Sequence, residues 1–182
     1  IQFPANVAPM PKSNFCYFTG TNRIRDVALA SMMLKSARAA GVAEDFHIFA
    51  PMPVEGYHHH QINGRMPWRN FMAKVDFMRG LANTSYEYCV QLDTDNFFVR
   101  HPGDLTRLLR DNKAWVSMEG EISAGSRHPD WWGFFYKDTA YPLLDVMRGY
   151  GCGERVWNTN AGMWIVRRDA ITEMADRLEA IF

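Results

Sequence analysis

Two carboxylates set one residue apart, Asp93 and Asp95, follow directly on an apolar, β-prone run, Tyr88-Cys89-Val90-Gln91-Leu92. In an extended backbone, side chains at i and i+2 point the same way, roughly 6–7 Å apart. Held that close without a partner, two carboxylates repel and raise each other's pKa. A divalent cation removes the conflict. Mg²⁺ in particular takes one or two protein carboxylates and completes its shell with phosphate oxygens and water. The pattern therefore points to a metal–diphosphate site at the carboxyl end of a buried strand, where ligands bind in open α/β sheets. The competing reading of the same residues is a turn rich in Asp.

The elements around this stretch predict an α/β domain. Phe15 to Phe18 reads as a first strand and Thr19-Gly20-Thr21-Asn22 as a polar turn. Asp26 to Ala40 is helical, with Val27, Leu29, Ala30, Met33, Leu34 and Ala37 at helical spacing and Gly41 as the stop. Asp45 to Ala50 is a second strand, which makes a βαβ unit with parallel pairing. Pro51 to Pro67 reads as a loop carrying His58-His59-His60, of which at most two adjacent rings could share an ion. A helix over 68–81 precedes the third strand and its aspartates.

Beyond them come a short helix from Leu105 to Arg110 and a fourth strand, 114–118, ending in Glu119. Residues 122–137 read as an aromatic loop, and Pro142 to Arg148 as a helix. A polar turn at Asn158-Thr159-Asn160 leads into a last strand, and a closing helix is capped by Asp169 with Met174, Leu178 and Ile181 on one face. The lead-in, residues 1–13, is proline-interrupted and extended. Residues 14–182 then form one domain, with a C-terminal part of the domain left outside the chain as an open alternative.

Composition narrows the partners. The chain is 47% hydrophobic and 14% aromatic, which argues against disorder. Twenty basic and twenty acidic residues cancel, so no basic excess suggests nucleic-acid binding, and an anionic ligand must be met by local groups. Three cysteines without a C-x-x-C spacing indicate neither a disulfide framework nor a zinc knuckle. Cys16 and Cys89 read as small core residues, and a reducing, cytoplasmic setting fits. No apolar run reaches the length of a membrane span, and no signal peptide is visible, although the chain starts at Ile1 and a leader removed upstream stays open. Oligomeric state is not encoded in any pattern here.

In combination these motifs resemble the nucleotide-sugar-dependent glycosyltransferases of the GT-A fold, nearest the retaining branch that includes glycogenin and bacterial lipopolysaccharide galactosyltransferases. Four features match in order: Phe15 to Asn22 before a helix; Ala73-Lys74 about twenty residues ahead of the acidic pair; Leu92-Asp93-Thr94-Asp95; and Asn160-Ala161-Gly162-Met163-Trp164-Ile165-Val166. The resemblance covers roughly residues 14–170. It implies a three-layer α/β/α sandwich around a mostly parallel mixed sheet, the nucleotide-diphospho-sugar transferase architecture. It also implies a donor such as a UDP-sugar, an acceptor hydroxyl on a carbohydrate or other molecule, and Mn²⁺ or Mg²⁺ bound by Asp93 and Asp95. Asp93 would reach the donor's ribose or phosphate as well. Thr19, Thr21 and Asn22 would line the nucleotide pocket, Lys74 would stand near the diphosphate, and Asn160, followed by Gly162, would contact the donor sugar. Glu119 occupies the place of an acidic residue that touches the sugar.

The chain also departs from that pattern. The retaining enzymes carry, further on, a polar Gln/Asp cluster near the reacting carbon and a distal metal-binding His; nothing after Asn160 resembles either, and His128 comes too early. Inversion would need a carboxylate base, with Glu119, Glu121 and Asp130 as candidates, whereas retention can use the donor phosphate. Trp131, Trp132, Phe134 and Tyr136 read either as an acceptor platform or as an aromatic lid packed on the core. Two further readings remain. One is a sugar-phosphate nucleotidyltransferase, disfavoured by the single glycine in Thr19-Gly20-Thr21-Asn22-Arg23. The other is a noncatalytic nucleotide- or sugar-binding module.

Overall fold

The computed structural model describes residues 14–21, 23–62, 77–123, 133–136, 139–142, 145, 148, 149, 151 and 155–181, and within 118–123, 133–136, 139–142, 155–161 and 178–181 the backbone path alone. The strands are β1 (Phe15–Gly20), β2 (Phe46–Ala50), β3 (His58–Gln61), β4 (Tyr88–Leu92), β5 (Ala114–Ser123), β6 (Gly133–Tyr136), β7 (Thr139–Pro142) and β8 (Arg155–Arg167), with helices α1 (Ile24–Ala39) after β1, α2 (77–82) before β4 and α3 (Arg168–Ile181) after β8. Six of the strands form one mixed sheet in the order β3-β2-β1-β4-β8-β5. The chain divides into two compact units, Ile1–Trp115 with Gly162–Phe182, and Val116–Ala161.

In the first unit β3, β2, β1 and β4 run parallel, and β8 returns antiparallel beside β4 with Leu92 opposite Met163 and Val90 opposite Ile165. Helix α1 forms where the pattern predicts. Ala30, Met33, Leu34 and Ala37 recur on one face and are buried. They cover Tyr17, Phe46, Val90, Leu92 and Ile165, one face of the sheet. Helix α1 ends in a Schellman arrangement: Val42 N–H donates to Ala37 O (3.0 Å), Gly41 N–H to Arg38 O (3.1 Å), and Gly41 takes φ +82°. The other face is covered by α2, whose Phe77 ring stacks on Phe49 at 4.6 Å. A Cβ at Gly20 would lie 1.9 Å from Phe77 Cε2, so the end of β1 accepts no side chain beneath that ring. The architecture is the expected α/β one, with helices on both faces of a mostly parallel sheet.

Several expectations change. The stretch 51–67 is not all loop, because His58–Gln61 pairs with β2 as strand β3. Asn158-Thr159-Asn160 is not a turn, since β8 runs unbroken from Arg155 to Arg167. The aromatic stretch 122–137 contains β6, which pairs antiparallel with β7, so Pro142 closes a strand; helical backbone is described at 145, 148 and 149. The short helix is a 3-10 turn, Leu105–Leu108, capped by Asp104 Oδ1, which accepts from Thr106 N–H (3.0 Å). Residues 1–13, most of the helix expected over 68–81, Trp131, Trp132 and Cys152 lie outside the described residues.

Strand β3 is held by histidine. His47 is buried in β2 opposite His58, its Nδ1 2.9 Å from His60 Nε2, and the His60 ring stacks on Phe49 at 4.4 Å. One of those two nitrogens must donate and the other accept, so the pair cannot carry two protons there. Burial holds the His47 ring at about 4, with repulsion from His58 and His60 acting in the same direction and Asp45 opposing it. The Tyr86 hydroxyl donates to Asp45 Oδ2 and holds that carboxyl below its ordinary range, aided by His58.

Two outcomes follow for stability. Gly20→Ala is expected to cost about 1–3 kcal/mol by overpacking, measured by urea denaturation, and Phe77→Leu in the same chain should recover part of it. As pH falls from the ordinary histidine value toward 4, the unfolded chain binds a proton that folded His47 refuses, so stability declines through that window by up to about 3 kcal/mol. His60 and Asp45 act with the same sign. Unfolding curves from pH 7 to 4 should show the decline, and His47→Phe should flatten it.

Candidate functional site

The site is built at the carboxyl end of β4. The strand is apolar and buried through Leu92, and its ladder with β8 continues one step further: Asp93 N–H donates to Gly162 O (3.0 Å). There the chain turns. Asn96 N–H donates to Asp93 O (3.1 Å), and Asn96 Nδ2 donates both to Asp93 O (2.9 Å) and to Gly162 O (3.3 Å). Asp93 and Asp95 are therefore positions i and i+2 of a turn, not of an extended strand as the spacing alone suggests; Asp95 is exposed and Asp93 half-buried.

A second anchor follows the turn. Phe98 N–H donates to Ser36 Oγ on α1 (3.0 Å), while the Phe98 ring meets Tyr17 edge-on at 5.4 Å and Phe46 at 6.0 Å. The residues on either side of it, Phe97 and Val99, are exposed. The carboxylate pair thus sits on a six-residue segment fastened to β8 at one end and to α1 at the other.

Two participants escaped the sequence reading. Asn96 closes the turn; its signal was an Asn directly after Asp-x-Asp, a residue type that bonds neighbouring backbone. Gln91 is 2% exposed, and its Nε2 donates to Asp93 Oδ1 at 3.0 Å. An ionised carboxylate only accepts, so the amide must present its nitrogen. Gln91 Oε1 is buried and meets no partner among the described residues. Inside an apolar run, Gln91 read as a strand residue and nothing more.

The remaining expected residues fall in different places. Thr19 is buried at the end of β1 opposite Ile48, on the face α1 covers, and its hydroxyl meets no partner among the described residues. Thr21 is buried too; its Oγ1 accepts from Arg23 N–H (3.0 Å) and donates to Asp26 Oδ2 (3.1 Å), which organises the start of α1. Gly162, in β8, supplies the carbonyl that holds the aspartate turn. Thr19, Thr21, Asp93, Asp95 and Gly162 belong to the first unit; Glu119, in β5, and Asn160, in β8, belong to the second. Asn22 and Lys74 lie outside the described residues.

Among the described residues no group of three or more His, Cys, Asp and Glu side chains is placed to hold a metal ion. Two carboxylates are still the donor set that suits a hard cation whose other positions are filled by diphosphate and water. Among the described residues, too, no helix is long and apolar enough to cross a membrane.

No family model and no curated protein matches the sequence. Solved structures do match the fold. The bifunctional glycosyltransferase WbbM, in its apo form, superposes with a TM-score of 0.58 at 11% identity, over 96% of this chain and 35% of that one. The galactosyltransferase LgtC, in complex with donor and acceptor sugar analogues, gives 0.51 at 15% identity, over 91% and 66%. The glycosyltransferase GlyE of Streptococcus pneumoniae TIGR4 gives 0.52 at 10% identity, over 94% and 38%. The chain spans about one third to two thirds of the length of these structures. Sheet order, helices on both faces and these superpositions agree: the chain has the fold of the GT-A glycosyltransferases.

Proposed function

We propose that the chain is a metal-dependent glycosyltransferase that moves a hexosyl group from a nucleotide diphosphate sugar, UDP-linked, to a hydroxyl of a carbohydrate or other acceptor. The observation that carries this reading is the doubly anchored Asp93–Asp95 turn at the carboxyl end of a parallel strand, in a fold shared with glycosyltransferases. The proposal takes 14–182 as one such domain. It places the chain in a reducing compartment such as the cytoplasm, a setting supported by Cys16 and Cys89, free thiols buried side by side across β1 and β4. A hydrogen bond with Cys89 and burial push the Cys16 thiol's pKa up.

Asp93 and Asp95 hold Mn²⁺ or Mg²⁺. Bound there, the ion supplies a Lewis acid that offsets the charge growing on the departing diphosphate. Asp93 meets it with a carboxylate steadied by Gln91, and Asp95 from the open side of the turn. Lys74 adds positive charge toward the diphosphate. Thr19, Thr21 and Asn22 border the nucleotide, while Asn160, Gly162 and Glu119 address the donor sugar. The acceptor proton leaves either to a carboxylate, Glu119 first among the candidates, or to the donor phosphate, the two routes corresponding to inversion and retention.

Calorimetry of UDP binding with and without Mn²⁺ tests the site. Asp95→Asn is expected to lose the metal-dependent part of the affinity, roughly 10- to 150-fold, and unchanged affinity in Mn²⁺ rejects the site. A panel of nucleotide sugars, scored for transfer and hydrolysis, tests the reaction: binding without turnover of any donor would make the chain a binding module instead.

A further inference from the structure

We infer that Gln91 is a positioning residue for the cation site, acting through Asp93. The inference rests on the proposed function and deepens it. Gln91 sits in the middle of the sheet, with Phe18 beside it on β1 and Trp164 beside it on β8. At 2% exposure its side chain is almost wholly withdrawn from water. Nε2 donates to Asp93 Oδ1 at 3.0 Å, while Oε1 is buried and meets no partner among the described residues.

An apolar residue of the same length would pack this position without leaving a buried acceptor unmet. What only the amide supplies is an N–H aimed at one oxygen of Asp93. That bond fixes the plane of the carboxylate before any ligand arrives. A carboxylate set in advance loses less rotamer freedom when the cation binds. Asn96 fixes the backbone of the same residue, so Asp93 is held at main chain and side chain by different partners.

The test is a double-mutant cycle on the intact chain, reading the apparent affinity for Mn²⁺ in the presence of UDP. Gln91→Met keeps length and apolar packing and removes the donor. It is expected to weaken Mn²⁺ about 10- to 100-fold. In an Asp93→Ala background the same substitution should have no further effect, since the oxygen that accepts from Gln91 is already gone. A Gln91→Met protein within about twofold of wild type, or one whose loss persists in full in the Asp93→Ala background, overturns the inference.

Should Gln91→Met fail to fold, the wild-type protein decides. With ¹⁵N label, the Gln91 side-chain amide signal is expected to shift when Mg²⁺ and UDP saturate the protein. An unmoved Gln91 amide, while other signals report binding, overturns the inference alone. Wild-type protein that binds neither Mn²⁺ nor Mg²⁺ in the presence of UDP defeats the proposed function, and the inference with it.

Discussion

A short exposed turn presents two charges in a fixed direction only if its backbone is fastened at both ends. The carbonyl of Gly162 does most of that fastening. It accepts from Asp93 N–H and from Asn96 Nδ2, so the last rung of the β4–β8 ladder and the closure of the turn share one acceptor. At the other end Phe98 is bonded to Ser36 and packed against Tyr17 and Phe46. Ordering each residue between those points costs about 1–2 kcal/mol of backbone entropy. Here that cost is met by contacts inside the sheet and under α1, not by the ligand.

The rest of the first unit serves this arrangement. Parallel β3, β2, β1 and β4 deliver their carboxyl ends to one edge of the sheet. The Schellman stop at Gly41 ends α1 before β2 begins, and Ser36, one turn earlier, is thereby placed to reach Phe98. Antiparallel β8 brings Gly162 alongside the tip of β4 from the opposite chain direction. Fold and site are thus one structure: the hydrogen bonds that extend the sheet also aim the carboxylates.

Where local sequence and tertiary environment agree, the fold was legible. Helix α1 and strands β1, β2 and β4 carry their own periodicity or apolar runs and their own stops. Strand β3 was not legible, because His-His-His-Gln has no strand-like pattern. It pairs because buried His47 bonds His60 and because the His60 ring covers Phe49, partners thirteen and eleven residues away. The polar run at 158–160 likewise looks like a turn until its place in β8 is known. At the site the aspartates announced themselves by spacing, yet their geometry is set by Asn96 and Gly162, and the second of these is 66 positions from the first. Gln91 was masked by its apolar neighbours, since one amide in a hydrophobic strand carries no signal until its partner is seen.

The pairing of β4 with β8 also limits how this lineage can change. Leu92 faces Met163, Gln91 faces Trp164 and Val90 faces Ile165, so alternate residues of β8 go to opposite sides of the sheet. Adding or deleting a single residue between Met163 and Val166 would turn every later side chain of the strand over, trading Ile165's place under α1 for that of a neighbour. Length variation among descendants of this sequence should therefore be purged from that segment and accumulate in the connections between strands.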